Sequence, residues 1–239
     1  MIRVEQVSKL FGKVYAVRNV SVEIAPGESV GLVGESGSGK STMAKILMGL
    51  EKPSQGRVKY EDGYSIADTQ IIFQNPYSSF DPRMTLGASI AEALRVGGGL
   101  GKDEMRSRVR ALLQMVDLPE QMAARFPHEV SGGECQRASI ARALSREPNF
   151  LICDEVVSSL DLIAQAKALN LSLRLLKQAR FSLLFISHDL RVIRHLCDRV
   201  IVMKEGEISE SAPMSQLFAS PQDAYTRQLL YSAGLRDKA

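Results

Sequence analysis

The sequence predicts an α/β protein: a mainly parallel sheet, an antiparallel β part at the N-terminal end, and a helical part inserted between core strands. Three observations carry this. Ser29-Val30-Gly31-Leu32-Val33 is a short run without alternation that passes through a glycine-rich turn, Gly34–Gly39, into Lys40–Leu50, where Met43, Ile46, Leu47 and Leu50 recur at helical spacing. Residues 1–30 alternate apolar and polar, clearest at Val20-Ser21-Val22-Glu23-Ile24, and then meet a Pro26-Gly27-Glu28 turn, the pattern of half-buried antiparallel strands. From Pro76 to Ser145 the periodicity is wholly helical, and runs of buried-strand type stand on either side of it.

The elements follow in order. Ser29–Val33 reads as a central strand covered on both faces. Pro53-Ser54-Gln55-Gly56 breaks the first helix, Gln70–Gln74 is the next buried strand, and Asn75-Pro76 ends it. One helical stripe runs through Ile90, Ala93 and Leu94 and another through Val109, Leu112, Leu113 and Val116, with Gly97-Gly98-Gly99 and Leu118-Pro119 as punctuation. The core resumes with Phe150–Cys153, a helix over Leu160–Ala179, a strand over Phe181–Ser187, a short helix Asp189–Leu196 and a strand Val200–Met203. Lys204-Glu205-Gly206-Glu207 is a hairpin-like turn into Ile208-Ser209-Glu210, and an amphipathic stretch from Ser215 carries Leu217, Phe218, Leu229 and Leu230. One domain over 1–239 is expected, with 1–74 and 146–214 as the core and its antiparallel part. About 75–145 is then a helical subdomain, and 215–239 a helical tail.

Composition removes several classes. With 239 residues, 45% hydrophobic and 24% charged, the chain can bury a core without staples and is not a disordered tail. The 30 Lys+Arg against 27 Asp+Glu leave a net charge of +3 with no basic block, and Trp is absent, so no nucleic-acid partner is expected. Cys135, Cys153 and Cys197 have no paired spacing and read as reduced thiols. No signal-peptide core stands at the N-terminus, and no uncharged apolar run approaches the roughly 20 residues that span a bilayer. If the protein works at a membrane, another chain does the crossing.

Gly34-Glu35-Ser36-Gly37-Ser38-Gly39-Lys40-Ser41-Thr42 is a complete G-x-x-x-x-G-K-S phosphate loop between a strand and a helix. Glycines let successive backbone N–H groups turn inward on phosphate oxygens, and the helix N-terminus adds partial positive charge. Lys40 is placed for the β- and γ-phosphates and the Ser41 hydroxyl for Mg²⁺. A glycine-rich turn alone can be merely tight; the strand–loop–helix context makes it a phosphate site and the core a phosphate-loop NTPase core. Four apolar residues end in Asp154-Glu155, where a carboxylate is costly unless it meets a cation or donors. That places Asp154 to hold Mg²⁺ through water and Glu155 to polarise an attacking water, and the alternative is an N-cap pair for the following helix. Ser131-Gly132-Gly133-Glu134, after Val130, opens another helix; alone this is also a common helix start.

These motifs in this order, with Gln74 after a short strand, Ser158-Ser159-Leu160-Asp161 and Ser187-His188-Asp189, resemble the ATP-binding-cassette (ABC) ATPase family over nearly the whole chain. The resemblance implies ATP and Mg²⁺ as ligands, with Phe11 (less so Tyr15) stacking on adenine. Residues 34–42 would cradle the phosphates. Gln74 would contact Mg²⁺ and water and relay nucleotide state. Ser131, Gly132, Gly133 and Glu134 would face the γ-phosphate held by an opposite subunit, with Asp161 at the subunit junction and His188 at the γ-phosphate near Glu155. A lone His at a strand end is usually a capped surface residue, and the company of the other motifs reverses that reading for His188. His128 and His195 keep the ordinary one.

Gly34–Gly39, Phe73–Thr85 and Cys153–Asp161 further resemble the peptide/nickel branch of importer ATPases, as does Ser220-Pro221 with Ala224–Leu230. That implies a second ATPase subunit, identical or different, and two integral-membrane permeases. It also implies an extracytoplasmic solute-binding protein and a peripheral place on the cytoplasmic face of the inner membrane. Three departures stand out. No cysteine follows Cys197 before Ala239, so no iron–sulfur cluster is expected. The segment between Gly56 and Gln70 is short, which trims the peripheral sheet. Val130 and Glu134 replace the usual Leu and Gln, and the second change puts a carboxylate near nucleotide. The competing readings are a cassette ATPase serving a cytosolic assembly and a regulatory subunit that binds ATP without cycling. The presence of Lys40, Gln74, Asp154, Glu155 and His188 argues against the latter, and the Asn-Pro segment favours the importer over the former.

Overall fold

The computed structural model describes residues 1–96, 98–156 and 181–235. The helix expected over Leu160–Ala179, with Ser158, Ser159 and Asp161, lies outside them. The chain divides into two compact units. One takes in Met1–Thr69, Asn149–Asp154 and the described residues from 181 on; the other takes in Gln70–Pro148 with Glu155 and Val156.

In the first unit, β1 (Ile2–Phe11) and β2 (Val14–Ile24) form an antiparallel pair in which Ile2 faces Ile24 and Val4 faces Val22. Ile2, Val4, Val7, Val17, Val20 and Ile24 are buried, with strict alternation broken by register shifts between Val4 and Val7 and between Val7 and Lys9. After β3 (Ser29–Val33) and α1 (Lys40–Leu47), the strand β4 (Gln55–Tyr60) pairs with the other edge of β1, completing the order β2-β1-β4. β4 is not predicted by the sequence pattern: its residues are half-buried or exposed, so no apolar run marks it.

β5 (Thr69–Ile72) begins at the unit boundary. In the core sheet, β3 lies between two parallel neighbours, β7 (Ser182–Ile186) and β8 (Arg199–Lys204); β6 (Phe150–Asp154) pairs parallel with β7, and β9 (Glu207–Pro213) closes antiparallel on β8. The β8–β9 turn uses left-handed backbone at Glu205 (φ 48°) and Gly206 (φ 85°), the geometry that suits strand twist in a tight hairpin. The central strands are apolar on both faces, as the unalternating runs require.

The second unit is helical. Asn75 caps a 3₁₀ turn at Pro76–Ser79, Thr85 caps α2 (Leu86–Arg95), and α3 (Lys102–Met115) carries Asp103 and Glu104 in its first turn, where the helix dipole favours negative charge. Further 3₁₀ turns at Glu120–Ala124 and Pro127–Glu129 lead to α4 (Gly132–Leu144). The buried stripes are Leu86, Ile90 and Leu94, then Val109, Leu112, Leu113 and Val116, then Cys135, Ala138, Ile140 and Ala141. Back in the first unit, α5 (Leu190–Leu196) follows β7, while α6 (Met214–Ala219) and α7 (Ala224–Ser232) follow β9.

Boundaries moved in three places. The first helix stops at Leu47, because Gly49 (φ 70°) and Leu50 turn back to donate to the Ile46 and Lys45 carbonyls; Leu50 is 59% exposed, not part of the buried stripe. The strand expected at Gln70–Gln74 runs from Thr69 to Ile72, releasing Phe73 and Gln74. The tail is two helices, because Pro221 follows the first and Asp223 caps the second. All three cysteines are buried and free; burial pushes the Cys135 and Cys153 thiols up to about 12 and raises Cys197 as well. Among the described residues no helix is long and apolar enough to cross a membrane.

Candidate functional site

The phosphate loop joins buried β3 to α1, and its glycines are dictated by contact. A Cβ at Gly34 would lie 2.2 Å from the Met203 carbonyl oxygen, and one at Gly39 (φ 103°) would lie 2.2 Å from the Ala16 carbonyl oxygen. Gly39 is the N-cap residue of α1 and offers no side chain to its N–H groups. Lys40, 5% exposed, donates to the Gly34 carbonyl (2.9 Å), the Glu35 carbonyl (2.8 Å) and the Ser38 hydroxyl (3.4 Å), so its ammonium sits inside the loop's curve. Ser38 is held in turn, its carbonyl accepting from Gly206 N–H at 3.0 Å and its N–H donating to the Glu35 carbonyl at 3.2 Å. Ser36 and Gly37 are exposed.

At the second residue of α1, the Ser41 hydroxyl donates to Asp154 Oδ1 at 3.3 Å, the carboxylate standing at the end of β6. A hydroxyl and a carboxylate beside a phosphate loop are a hard-oxygen donor pair, and Mg²⁺ is ordinarily held by one or two protein oxygens, substrate phosphates and water. The pair therefore fits Mg²⁺. Among the described residues no group of three or more His, Cys, Asp or Glu side chains offers an all-protein metal cage. His188 is exposed just past β7, in the same unit.

Beside Gly37 opens a cleft of about 720 Å³ lined by Lys13, Val14, Tyr15, Lys204 and Glu205 among others. Tyr15 is 38% exposed, with the Arg18 guanidinium 5.1 Å from its ring centre. Phe11 is 48% exposed and carries the Lys9 ammonium 4.9 Å from its ring centre, but it is not among the residues lining this cleft. On the loop's other flank the Tyr225 hydroxyl accepts a hydrogen bond from Glu35 N–H at 3.0 Å. The Ala224-Tyr225-Thr226 segment carries no motif that points to the phosphate loop; 190 residues separate the partners, so no local pattern announces the contact.

The helical unit holds the other sequence-derived residues. Gln74 Nε2 donates to Glu155 Oε2 at 3.1 Å, which brings these two side chains together. Glu155 itself adopts left-handed backbone (φ 50°), uncommon for a residue with a side chain. At the start of α4, Ser131 Oγ accepts from Glu134 N–H at 3.3 Å, while Glu134 Oε2 accepts from both Ser131 N–H and Ser131 Oγ–H at 2.8 Å. These bonds close a capping box and hold the Glu134 carboxyl below its usual 4.5. Tyr77 Oη donates to the Val130 carbonyl at 3.1 Å, tying the segment after Gln74 to the Ser131 loop. Asp161 lies outside the described residues.

A family model described as ABC transporter matches residues 17–158. A Brucella ovis protein named for peptide import and ATP binding is 45% identical over 224 residues, 89% of this chain and 70% of that protein. The oligopeptide transport ATP-binding protein OppF of Escherichia coli is 42% identical over 234 residues, 93% of this chain and 70% of that one. Among solved structures, the ATP-binding cassette MJ0796, dimeric with ADP and Pi in a post-hydrolysis state, superposes with TM-score 0.78 at 30% identity over 90% of this chain and 99% of that chain. The cbiO1 protein of Clostridium perfringens, part of the ABC transporter complex cbiONQ, gives TM-score 0.80 at 26% identity over 98% and 94%.

Proposed function

The chain belongs to the ABC transporter family as one of its ATPase cassettes, and from that premise we propose that it powers import of peptides or related small solutes through separate permease chains. One observation carries the chemistry: the Ser41–Asp154 pair stands at the start of the helix that the Lys40 loop opens. The solute class rests on likeness to proteins named for peptide and oligopeptide import. The partners of this reading are a second cassette, identical or different, two integral-membrane permeases and an extracytoplasmic solute-binding protein. The place is the cytoplasmic face of the inner membrane. The helical unit offers the permeases a cleft of about 260 Å³ lined by Phe73, Ala93, Val96, Arg142 and Arg146 among others. A cassette serving a cytosolic assembly has no such observation in its favour.

In this mechanism residues 34–42 wrap the phosphates, and Lys40 exchanges its contacts with the Gly34 and Glu35 carbonyls for β- and γ-phosphate oxygens. Ser41, Asp154 and Gln74 would hold Mg²⁺, which when bound would supply positive charge against the phosphates. Glu155 takes a proton from the attacking water as that water's oxygen bonds to the γ-phosphorus and the bond to the β-phosphate oxygen breaks. Gln74, already donating to Glu155, orients the carboxylate for that task. His188 supplies a further donor to the γ-phosphate, and an aromatic side chain, Phe11 or Tyr15, supports adenine. The opposite face of the nucleotide belongs to Ser131, Gly132, Gly133 and Glu134 of the second cassette, with Asp161 at the junction, so turnover needs two cassettes closed on each other. Closure is the motion a permease can use.

The test is to solubilise the intact assembly from its native membranes and identify every chain in it. Two integral-membrane proteins and ATP-dependent peptide uptake after reconstitution are expected. Co-purification with cytosolic chains alone overturns the importer reading.

A further inference from the structure

We propose that Tyr225 is a positioning residue for ATP, and that α7 thereby forms part of the nucleotide site; this rests on the ATPase reading above. The peptide plane linking Gly34 to Glu35 is engaged at both ends. Its N–H donates to the Tyr225 hydroxyl at 3.0 Å, and its C=O accepts from the Lys40 ammonium at 2.9 Å. A peptide unit is rigid and planar, so whatever fixes the direction of the N–H fixes the opposed C=O as well. Tyr225 thus sets the orientation of the carbonyl that parks Lys40. The next carbonyl, of Glu35, accepts from Lys40 and from Ser38 N–H, which carries the same constraint further round the loop. A chain of hydrogen bonds of this kind also polarises its members in the same sense.

The hydroxyl can do this because Tyr225 is itself immobilised. It is 7% exposed, and burial raises its pKa above the usual 10, so the phenol keeps its proton. Its own N–H and that of Thr226 donate to Asp223 Oδ1 at 2.9 and 3.2 Å, and Ser209 Oγ donates to the same oxygen at 2.5 Å. Glu210 accepts from Gln222 N–H at 2.9 Å and Asp223 N–H at 3.1 Å. The Lys204 ammonium lies 5.1 Å from the ring centre. β9 therefore anchors the start of α7, α7 aims the phenol, and the phenol braces the flank of the loop where Glu35 and Ser36 are exposed. An exposed glycine-bearing loop that must present several N–H groups at once gains affinity from such bracing, because less of its freedom is lost when phosphate binds.

The experiment is an equilibrium titration of a fluorescent ATP analogue with Mg²⁺ into the wild-type chain, Tyr225→Phe, Glu210→Gln and the double variant. Tyr225→Phe removes only the oxygen from a buried ring, and a melting curve checks that the fold survives. Expected is an affinity about three- to tenfold weaker for Tyr225→Phe, the range of one net hydrogen bond. In the assembled transporter the same variant raises KM for ATP by a like factor and leaves kcat within about twofold, a split that general destabilisation does not produce. Glu210→Gln weakens binding in the wild-type background and adds nothing in the Tyr225→Phe background, since both act through one phenol. A wild-type chain that binds no ATP overturns the nucleotide reading itself. A wild-type chain that binds, beside a Tyr225→Phe chain binding equally well or better, overturns the role of Tyr225. Strictly additive losses in the double variant overturn the route through Glu210.

Discussion

Two helices in this molecule begin with serine and glycine, and they begin in opposite ways. α1 starts from Gly39, in left-handed conformation and without a capping side chain, at the end of a loop anchored to buried β3. α4 starts from Ser131, exposed, whose hydroxyl and N–H are already engaged by Glu134 in a closed capping box. The first end is shaped for an anion from outside, with a lysine waiting in its curve. The second has taken its anion from its own sequence. Helix N-termini carry the same partial positive charge in both cases. What separates a phosphate socket from a self-satisfied cap is therefore whether a side chain of the chain itself stands where phosphate oxygens would.

The largest expected effects break the first half of this contrast. Lys40→Met removes the one ammonium inside the loop, and ATP hydrolysis by the assembled transporter should fall at least about a hundredfold, the range found for losing a preorganised charge donor. ATP binding should weaken with it. Glu155→Gln should lower turnover by about 10²–10⁴ while retaining nucleotide, because the amide keeps the shape and the contact with Gln74 but cannot take a proton. Steady-state phosphate release and ATP-analogue binding, measured side by side, separate the two. A Glu155→Gln protein turning over at near the wild-type rate removes Glu155 from the base role.

How much of this was legible in the sequence follows from the range of the forces. The phosphate loop was, because its glycines are enforced by close backbone approach and its motif is contiguous. Strands β3, β6, β7 and β8 were, because burial on both faces leaves unbroken apolar runs. The Gln74–Glu155 hydrogen bond was not, because it joins residues 81 apart and no local spacing announces it. β4 was not legible, since an edge strand with half its residues wet carries no periodic signal. Neither were the contacts of Tyr77 with Val130 and of Tyr225 with Glu35: each is a single phenol reaching across the fold, and one tyrosine looks like another in a string of letters.

The second half of the contrast is sharpened at Ser131 and Glu134. Ser131→Ala deletes the cap and should cost about 1 kcal/mol of stability, read from denaturant midpoints, and should also depress turnover in the assembled transporter. Glu134→Gln keeps a hydrogen-bonding side chain at that position and withdraws the negative charge. Where the opposite cassette presents its γ-phosphate, that charge is repulsive by about 1 kcal/mol at roughly 4 Å in a fully aqueous dielectric. Turnover of Glu134→Gln should therefore rise about two- to fivefold, with a lower KM for ATP. An unchanged or lower rate would mean that the carboxylate is neutral to, or used by, the closed site.

The smallest effect is the pH dependence of the same cap. Ser131 N–H and its hydroxyl hold the Glu134 carboxyl below 4.5, so the ionised form is bound more favourably in the folded chain than in the unfolded one. A depressed folded value contributes stability that is fully present above the unfolded pKa and is lost as pH falls through the folded one. The melting temperature of the wild-type chain should therefore exceed that of Glu134→Gln by a constant margin at neutral pH, and the margin should shrink as the solution is acidified below 4.5. Other carboxyls lose stabilisation over the same range. Asp81 is held down to about 2 by Arg83, and Asp223 is lowered by Ser209, but both are present in either protein and cancel in the difference. Arg137, one turn along α4, lowers Glu134 in the same direction. A margin that does not change with pH would place the cap's contribution in packing and not in charge, and the two helix starts would then differ in shape alone.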